Sequence, residues 1–403
     1  MSPRTANRGM NDPSAKPASR AARLHEIDGL RALAIILVMT HHFATGKVMM
    51  VLAARGWPHL GDAIGFTTNS GVELFFVLSG VVLLRPYLRG LRPFQARQYF
   101  RRRIERLWPP YLGALVIGGT VVLIATKWPT WYSREILPQF SLLDWARQVG
   151  IMNFGWTIYN LAWWSLTPEL TFYLLAPVVI ALFARRVWGK HGSFILIALA
   201  IALSIALWDA KTSMTGVQAG VGDVLLQFLA YVPCFFAGAM LAKIDLSARV
   251  GRALVLIGLA YFPVAIMIPS ANIHAAFALL YAGLVSLAMR QGWLNRQLVR
   301  PSAVWLGERS YSLFLTHFSI LYLADYVASF YFANRSLGYV MVTRLSAAVV
   351  ALGAAMILFW VVERRFARNL VTSHAFWPWE FKLSGNAAVS DRPTLDGVSE
   401  PAI

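Results

Sequence analysis

Arg31 and His42 stand in one apolar run, IDGLRALAIILVMTHHF, with ten residues between them. On an α-helix that step turns through about 1100°, or three turns plus about 20°, so both side chains share a face roughly 16 Å apart along the axis. Two readings stay open at this point. In the functional one, Arg31 holds a phosphate or amide at an entrance, and His42 at depth deprotonates a hydroxyl or carries a transferred group as a covalent adduct. The separation is close to the length of an extended pantetheine arm, so coenzyme A is a ligand that fits it. In the structural reading, Arg31 snorkels to the surface and His42 hydrogen-bonds a neighbouring helix. His41 lies about 100° away from that face and is expected outside the site. Asp28 is expected to be the N-cap of the helix.

Three other places carry ionisable groups in apolar surroundings, where each costs at least about 2.5–3.5 kcal/mol on insertion scales. In RRRIERLWPP, Arg103 and Arg106 stand at i, i+3 and share a helix face. They suit a phosphorylated ligand, or equally topogenic charge and anionic lipid. In WWSLTPELTFY, Thr167 and Pro168 form a plausible N-cap and first helical residue, which leaves Glu169 in the first turn. Glu169 either serves the helix dipole or orients an imidazole and binds acceptor hydroxyls. LGERSYSLFLTH ends on His317, a packing residue or a catalyst, while Glu308 and Arg309 read as interfacial charges. The single cysteine, Cys234, lies in an apolar run and is expected to be a small helix-packing residue. It permits no disulfide within the chain and no cysteine-based metal cluster, and no metal is expected.

The elements that must position these groups are membrane helices. The chain has 403 residues, of which 57% are hydrophobic and 14% charged, against about 25% charged in soluble domains. Segments of about 20 apolar residues recur about ten times, near 27–46, 70–89, 108–127, 161–184, 193–210, 223–243, 250–268, 272–289, 303–326 and 337–362. The net charge of +18 comes from Lys and Arg runs between these segments. That is the positive-inside pattern and not a nucleic-acid surface. If the N-terminus is cytoplasmic, alternate loops hold the rich clusters, such as Arg85 to Arg106 and Arg364 to Arg368, and the loops between them are poorer, except that the inside loop with Arg185, Arg186 and Lys190 only equals the long outer one. An even helix count with both termini cytoplasmic is the consistent solution. Residues 1–24 read as a disordered basic cytoplasmic tail with no cleavable signal, residues 25–368 as the transmembrane domain, and residues 369–403 as a cytoplasmic tail. The loop near 128–160 carries Trp128, Trp131, Tyr132, Trp145, Trp156 and Tyr159, which mark the membrane interface or offer a sugar-stacking platform.

Taken together, these segments resemble the acyltransferase-3 family of integral-membrane O-acyltransferases, the polysaccharide and O-antigen acetylase type. Five stretches carry the likeness, in order, over residues 27–320. They are the Arg31–His42 motif, GVELFFVLSG at residues 71–80, RRRIERLWPPY, WSLTPELTFYLLAP and LGERSYSLFLTH. Glu73 stands where the family usually has Asp, and Pro168 precedes the matching Glu169. No esterase-like domain of the kind some members carry is read in the sequence.

The resemblance implies an all-α polytopic bundle that transfers an acyl group, usually acetyl, from cytoplasmic acyl-CoA to a hydroxyl, typically of a cell-surface or exported glycan. It implies donor binding by Arg31, Arg103 and Arg106, and catalysis by His42 with Glu169 and His317. Acetyl-CoA would be a co-substrate, and the lipid bilayer of the cytoplasmic membrane the setting. A neutral His42 is required, so activity should fall as pH drops through its pKa. The rival class is a transporter or flippase for a glycan or small molecule, whose path intramembrane charges also line. The repeat signature of paired, Gly/Pro-broken helices is not seen.

Overall fold

The computed structural model describes residues 24–150, 159–184, 221–268, 271–331 and 337–366. Among these the chain is helical and forms no strand. The principal helices are α1 (His25–Thr40), α2 (Gly46–Ala54), α3 (Pro58–Asn69), α4 (Gly71–Leu88), α5 (Ala96–Lys127), α6 (Leu166–Ala184), α7 (Val221–Lys243), α8 (Ala248–Met267), α9 (Ile273–Ala288), α10 (Pro301–Glu308), α11 (Ser310–Tyr331) and α12 (Leu337–Leu358). Among the described residues, 7 helical stretches are long and apolar enough to cross a membrane, and two shorter apolar helices, Phe228–Lys243 and Ile273–Ala288, accompany them. The chain is a polytopic membrane protein. Nine of the ten apolar segments fall on these helices; the segment at 193–210 and both tails lie outside the described residues.

Two boundaries differ from the sequence reading. Helix α5 begins at Ala96, well before the expected 108, so the basic run is helical and continues through Pro109 and Pro110. The span expected at 303–326 is two helices, α10 and α11, parted at Arg309. Arg309 is buried, with its guanidinium carbon 4.5 Å from the Trp305 ring centroid and 4.6 Å from that of Phe359. Its Nη1 donates to the Trp305 carbonyl at 2.8 Å and to Glu308 Oε2 at 3.2 Å. Satisfying a buried guanidinium takes carbonyl and π partners close by, and the chain turns there. Arg309 is therefore a structural joint and not a charge at the interface.

Helix α4 is central, packing on α1, α6, α7 and α9. It meets α7 through Gly80 and Gly238, where an added Cβ on either would run into the partner's backbone. Small residues that let backbones approach are how helices associate without a hydrophobic driving force. Helix α11 is the second axis and packs on α1, α5 and α12. Among the described residues, π-turns interrupt the winding at His41–Thr45 after α1 and at Phe359–Glu363 after α12. Such turns shift every later side chain around the axis and concentrate at functional sites.

The aromatic residues after α5 divide. Trp128 and Trp131 are exposed. Trp145 and Tyr159 fold onto the bundle, Trp145 Nε1 donating to the Leu115 carbonyl at 3.2 Å and the Tyr159 hydroxyl to the Ser141 carbonyl at 2.9 Å. Trp156 lies outside the described residues.

Candidate active site

A pocket opens between α1, α4, α5, α6 and α11. Arg31, Arg106, Glu169, Tyr173, Ser79, Ser165 and Ser310 supply its polar lining, and Phe75, Phe76 and Phe314 its apolar wall. The fold brings Glu169 and Arg31 into one pocket. The cause lies upstream of Glu169. Residues Leu161–Ser165 form a 3-10 turn, and Asn160 Nδ2 and Trp163 Nε1 both donate to the Leu315 carbonyl, at 3.0 and 3.1 Å. These buried bonds tether the chain just before α6 to the second turn of α11. Once there, Glu169 Oε1 accepts from the Ser79 hydroxyl at 3.3 Å and from the Tyr173 hydroxyl.

The arginines cluster at the same pocket. Arg106 lies within electrostatic range of Arg31, Arg103 and Glu363. Arg103 rests its guanidinium carbon 5.7 Å from the Tyr99 ring centroid and 5.6 Å from that of Tyr173. Arg103 therefore stands behind the pocket wall, held over two aromatic faces, while Arg31 and Arg106 line the pocket itself. Glu363, in the second π-turn, accepts from the Ser312 hydroxyl at 2.5 Å.

His42 is not in this pocket. It sits in the first π-turn, with its ring centroid 5.2 Å from that of His317 and 4.9 Å from that of Phe318. His317 is fully buried. Its Nδ1 lies 2.8 Å from the Phe314 carbonyl and 3.2 Å from that of Leu313. A carbonyl can only accept, so Nδ1 carries the proton and Nε2 holds a lone pair. Nε2 is buried with no hydrogen-bond partner. The structure thus pairs two imidazoles, one presenting an unsatisfied basic nitrogen. Phe314 links the two regions, because it lines the pocket and its ring centroid lies 5.8 Å from that of His317. His41 faces elsewhere, with Nδ1 3.2 Å from Thr68 Oγ1 on α3.

Other expectations need correction. Asp28 is buried inside the first turn of α1, and the N-cap position falls on Leu24. Thr167 lies within α6, which starts at Leu166, and its hydroxyl oxygen is buried without a partner. The reading of Cys234 as a packing residue needs none: it is fully buried, its thiol 3.6 Å from the His274 carbonyl. Sequence reading also passed over several intramembrane groups. Arg344 on α12 bridges Asp325 and the His42 carbonyl. His274 on α9 pairs with Glu73 at 2.8 Å. The signal for Arg344 and Asp325 was present, since each is a charge in an apolar segment. No group of three or more metal-ligating side chains is found among the described residues.

These features define a helical membrane protein built around a buried polar centre, with a cationic pocket on one side and an imidazole pair beside it. Residues 24–364 match the acyltransferase-domain family of the acyltransferase-3 type, and the chain belongs to that family. Peptidoglycan O-acetyltransferase OatA of Listeria monocytogenes is 24% identical over 332 residues, covering 74% of this chain and 49% of that protein. O-acetyltransferase OatA of Staphylococcus aureus is 24% identical over 354 residues, covering 79% of this chain and 53% of that protein. Nodulation protein 10 of Rhizobium leguminosarum bv. viciae is 26% identical over 203 residues, 44% of this chain and 49% of that protein. The chain thus spans about half the length of these curated relatives. No solved structure matches it significantly.

Proposed function

We propose that this protein is a membrane O-acyltransferase that moves an acetyl group from acetyl-CoA to a hydroxyl of a cell-surface or exported glycan. The observation that carries the reading is the unpartnered Nε2 of His317 beside His42, about one helical turn from a pocket lined by Arg31 and Arg106. The likeness to the OatA O-acetyltransferases supports the O-acetyl part, and the peptidoglycan O-acetyltransferase among them the glycan part. The arginine cluster supports an anionic donor, because guanidinium forks match phosphate geometry.

In this reading both termini are cytoplasmic and the donor enters from that side of the cell membrane. Its phosphates meet Arg106, with the charge of Arg103 behind the wall adding to the attraction, and its arm passes Arg31. The acceptor hydroxyl attacks the thioester carbonyl carbon, and its proton passes to His317 Nε2. The carbon–sulfur bond breaks, and the leaving thiolate takes that proton to give free CoA. His42, against His317, orients the hydroxyl; in the carrier route its nitrogen attacks the thioester first and expels the thiolate, and the hydroxyl then attacks the acetyl-imidazole and restores the free His42. Glu169, fixed by Ser79 and Tyr173, binds an acceptor hydroxyl at the pocket wall. None of these steps uses a metal.

The test is acetyl-CoA turnover by the full chain in nanodiscs with a glycan acceptor, following CoA release and labelled acetyl on the protein. Wild type is compared with Arg31→Ala and His42→Ala. His42-dependent CoA release establishes the enzyme, and label on His42 assigns it as carrier. If no short acyl-CoA is bound or consumed with any acceptor tried, the donor assignment fails. Transport of a glycan without acyl-CoA consumption then favours the transporter reading.

A further inference from the structure

Arg344 stands within an apolar helix, LGYVMVTRLSAAVVALGAAMIL, where a cation needs a named partner to persist. It has two. Nη2 donates to Asp325 Oδ2 at 3.2 Å, and Nη1 donates to the backbone carbonyl of His42 at 3.2 Å. Both side chains of the ion pair are withdrawn from solvent, at 19% and 8% exposure. The carboxylate alone would balance the charge. The second bond goes instead to the backbone of the residue whose imidazole packs on His317. Asp325 lies on α11 about two turns beyond His317. One guanidinium therefore ties the π-turn that carries His42 to the helix that carries His317.

We propose that Arg344 is a positioning residue for the imidazole pair. A π-turn widens the winding locally, so the rotation of His42 about the helix axis depends on what holds that turn. Arg344 holds it at the carbonyl, and Asp325 fixes the plane of the guanidinium. A planar fork serves two acceptors in set directions, which an ammonium cannot do. The assignment rests on the proposed role of the imidazole pair, and Arg344 itself touches no reacting atom.

The experiment uses the full chain in nanodiscs, with Arg344→Gln, Arg344→Lys and Asp325→Asn. The first readout is the split between kcat and KM for acetyl-CoA. A misplacement of about 1 Å costs on the order of 100-fold, so Arg344→Gln should lower kcat by about 30-fold or more while KM stays within about twofold. Arg344→Lys and Asp325→Asn, which each keep part of the bridge, should fall in between. The second readout needs no turnover: the rate at which diethyl pyrocarbonate modifies His42, followed by peptide mass spectrometry, should change at least about threefold in Arg344→Gln. If Arg344→Gln does not fold, the two partial variants carry the test. Unchanged kcat and unchanged His42 modification, with only lowered thermal stability, would overturn the proposal. If wild type consumes no acyl-CoA, the functional reading fails, and the modification rate still decides whether Arg344 places His42.

Discussion

Replacing His317 by Gln isolates the basic nitrogen from the shape of the side chain. The Gln amide can still donate to the Phe314 carbonyl, as Nδ1 does at 2.8 Å, but it offers no comparable base where Nε2 stands. General-base catalysis contributes typically 10²–10⁴-fold, and each tenfold is about 1.36 kcal/mol of barrier. His317 is fully buried and its Nε2 has no partner, so water cannot readily substitute for it. The middle of that range, a loss of about 10³-fold in kcat, is expected. Donor KM should stay within about twofold, because Arg31 and Arg106 are untouched and Phe314 keeps its place. The two rings lie 5.2 Å apart and should act as a unit, so His42→Gln in the His317→Gln background should cost little more than either change alone. The assay is CoA release in nanodiscs at saturating donor and acceptor, for wild type, both single variants and the double. A His317→Gln enzyme within threefold of wild type, or losses that multiply, would refute the argument that this imidazole pair is one catalytic unit.

Phe314→Leu opens the wall between the pocket and His317, where the Phe314 ring now sits 5.8 Å from the imidazole. The ratio of kcat/KM for butyryl-CoA over acetyl-CoA should rise about tenfold, since added methylenes are worth about 1–3 kcal/mol in such pockets; an unchanged ratio removes Phe314 from acyl selection. Gly238→Leu places a side chain against the Val77 carbonyl, a backbone atom that cannot swing away. A loss of about 1–3 kcal/mol is expected in thermal unfolding of the detergent-solubilised chain, larger than for Gly338→Leu, where nothing crowds the Cβ position. Outside the spans, the hydrogen bond from Arg89 holds the Asp245 carboxyl below the usual carboxylate range. Its folded pKa is depressed, so the stabilisation is present above the unfolded value, about 3.9, and is lost as pH falls through the folded one. Asp245 is 69% exposed, so screening keeps the contribution under about 1 kcal/mol. Asp245→Asn should lower Tm slightly at pH 7, and the difference should close as the medium is acidified below the folded pKa.

The bundle was legible because length and apolarity alone specify a membrane helix, and nine segments needed no tertiary information. Arg31, Arg106 and His42 could be singled out by the cost of burying charge or an imidazole. The same rule applied to Arg344 and Asp325 would have flagged both, but not their pairing, because a contact between two helices leaves no spacing in the sequence. The Glu73–His274 pair, 201 residues apart, is hidden for the same reason. Helical phase is a firm guide only within the regular helix. The count of about 100° per residue holds to Thr40, where α1 ends, and loses meaning inside the π-turn that begins at His41. Arg31 and His42, about 16 Å apart along the axis, serve adjoining regions and not one pocket.

The depth of Glu169 shows what a one-dimensional reading omits. Counted from the chain, Glu169 enters on a helix from one side of the membrane while Arg31 enters on another from the opposite side, so the two are expected toward opposite faces. They line one pocket because the chain before α6 enters the bundle as a 3-10 turn and is anchored on the Leu315 carbonyl. Non-helical backbone is tolerated at such depth only where protein satisfies its polar groups, and Asn160 does this locally by accepting from the Ala162 amide at 2.9 Å. Leu315 lies two residues before His317. The anchor that sets the carboxylate is therefore on the same turn of α11 as the buried imidazole, and Phe314, on that turn as well, lines the pocket. One helix fixes the relative positions of carboxylate, pocket wall and base. A change that shifts α11 along its axis should move all three together, and its kinetic effect should not divide into separate donor and acceptor contributions.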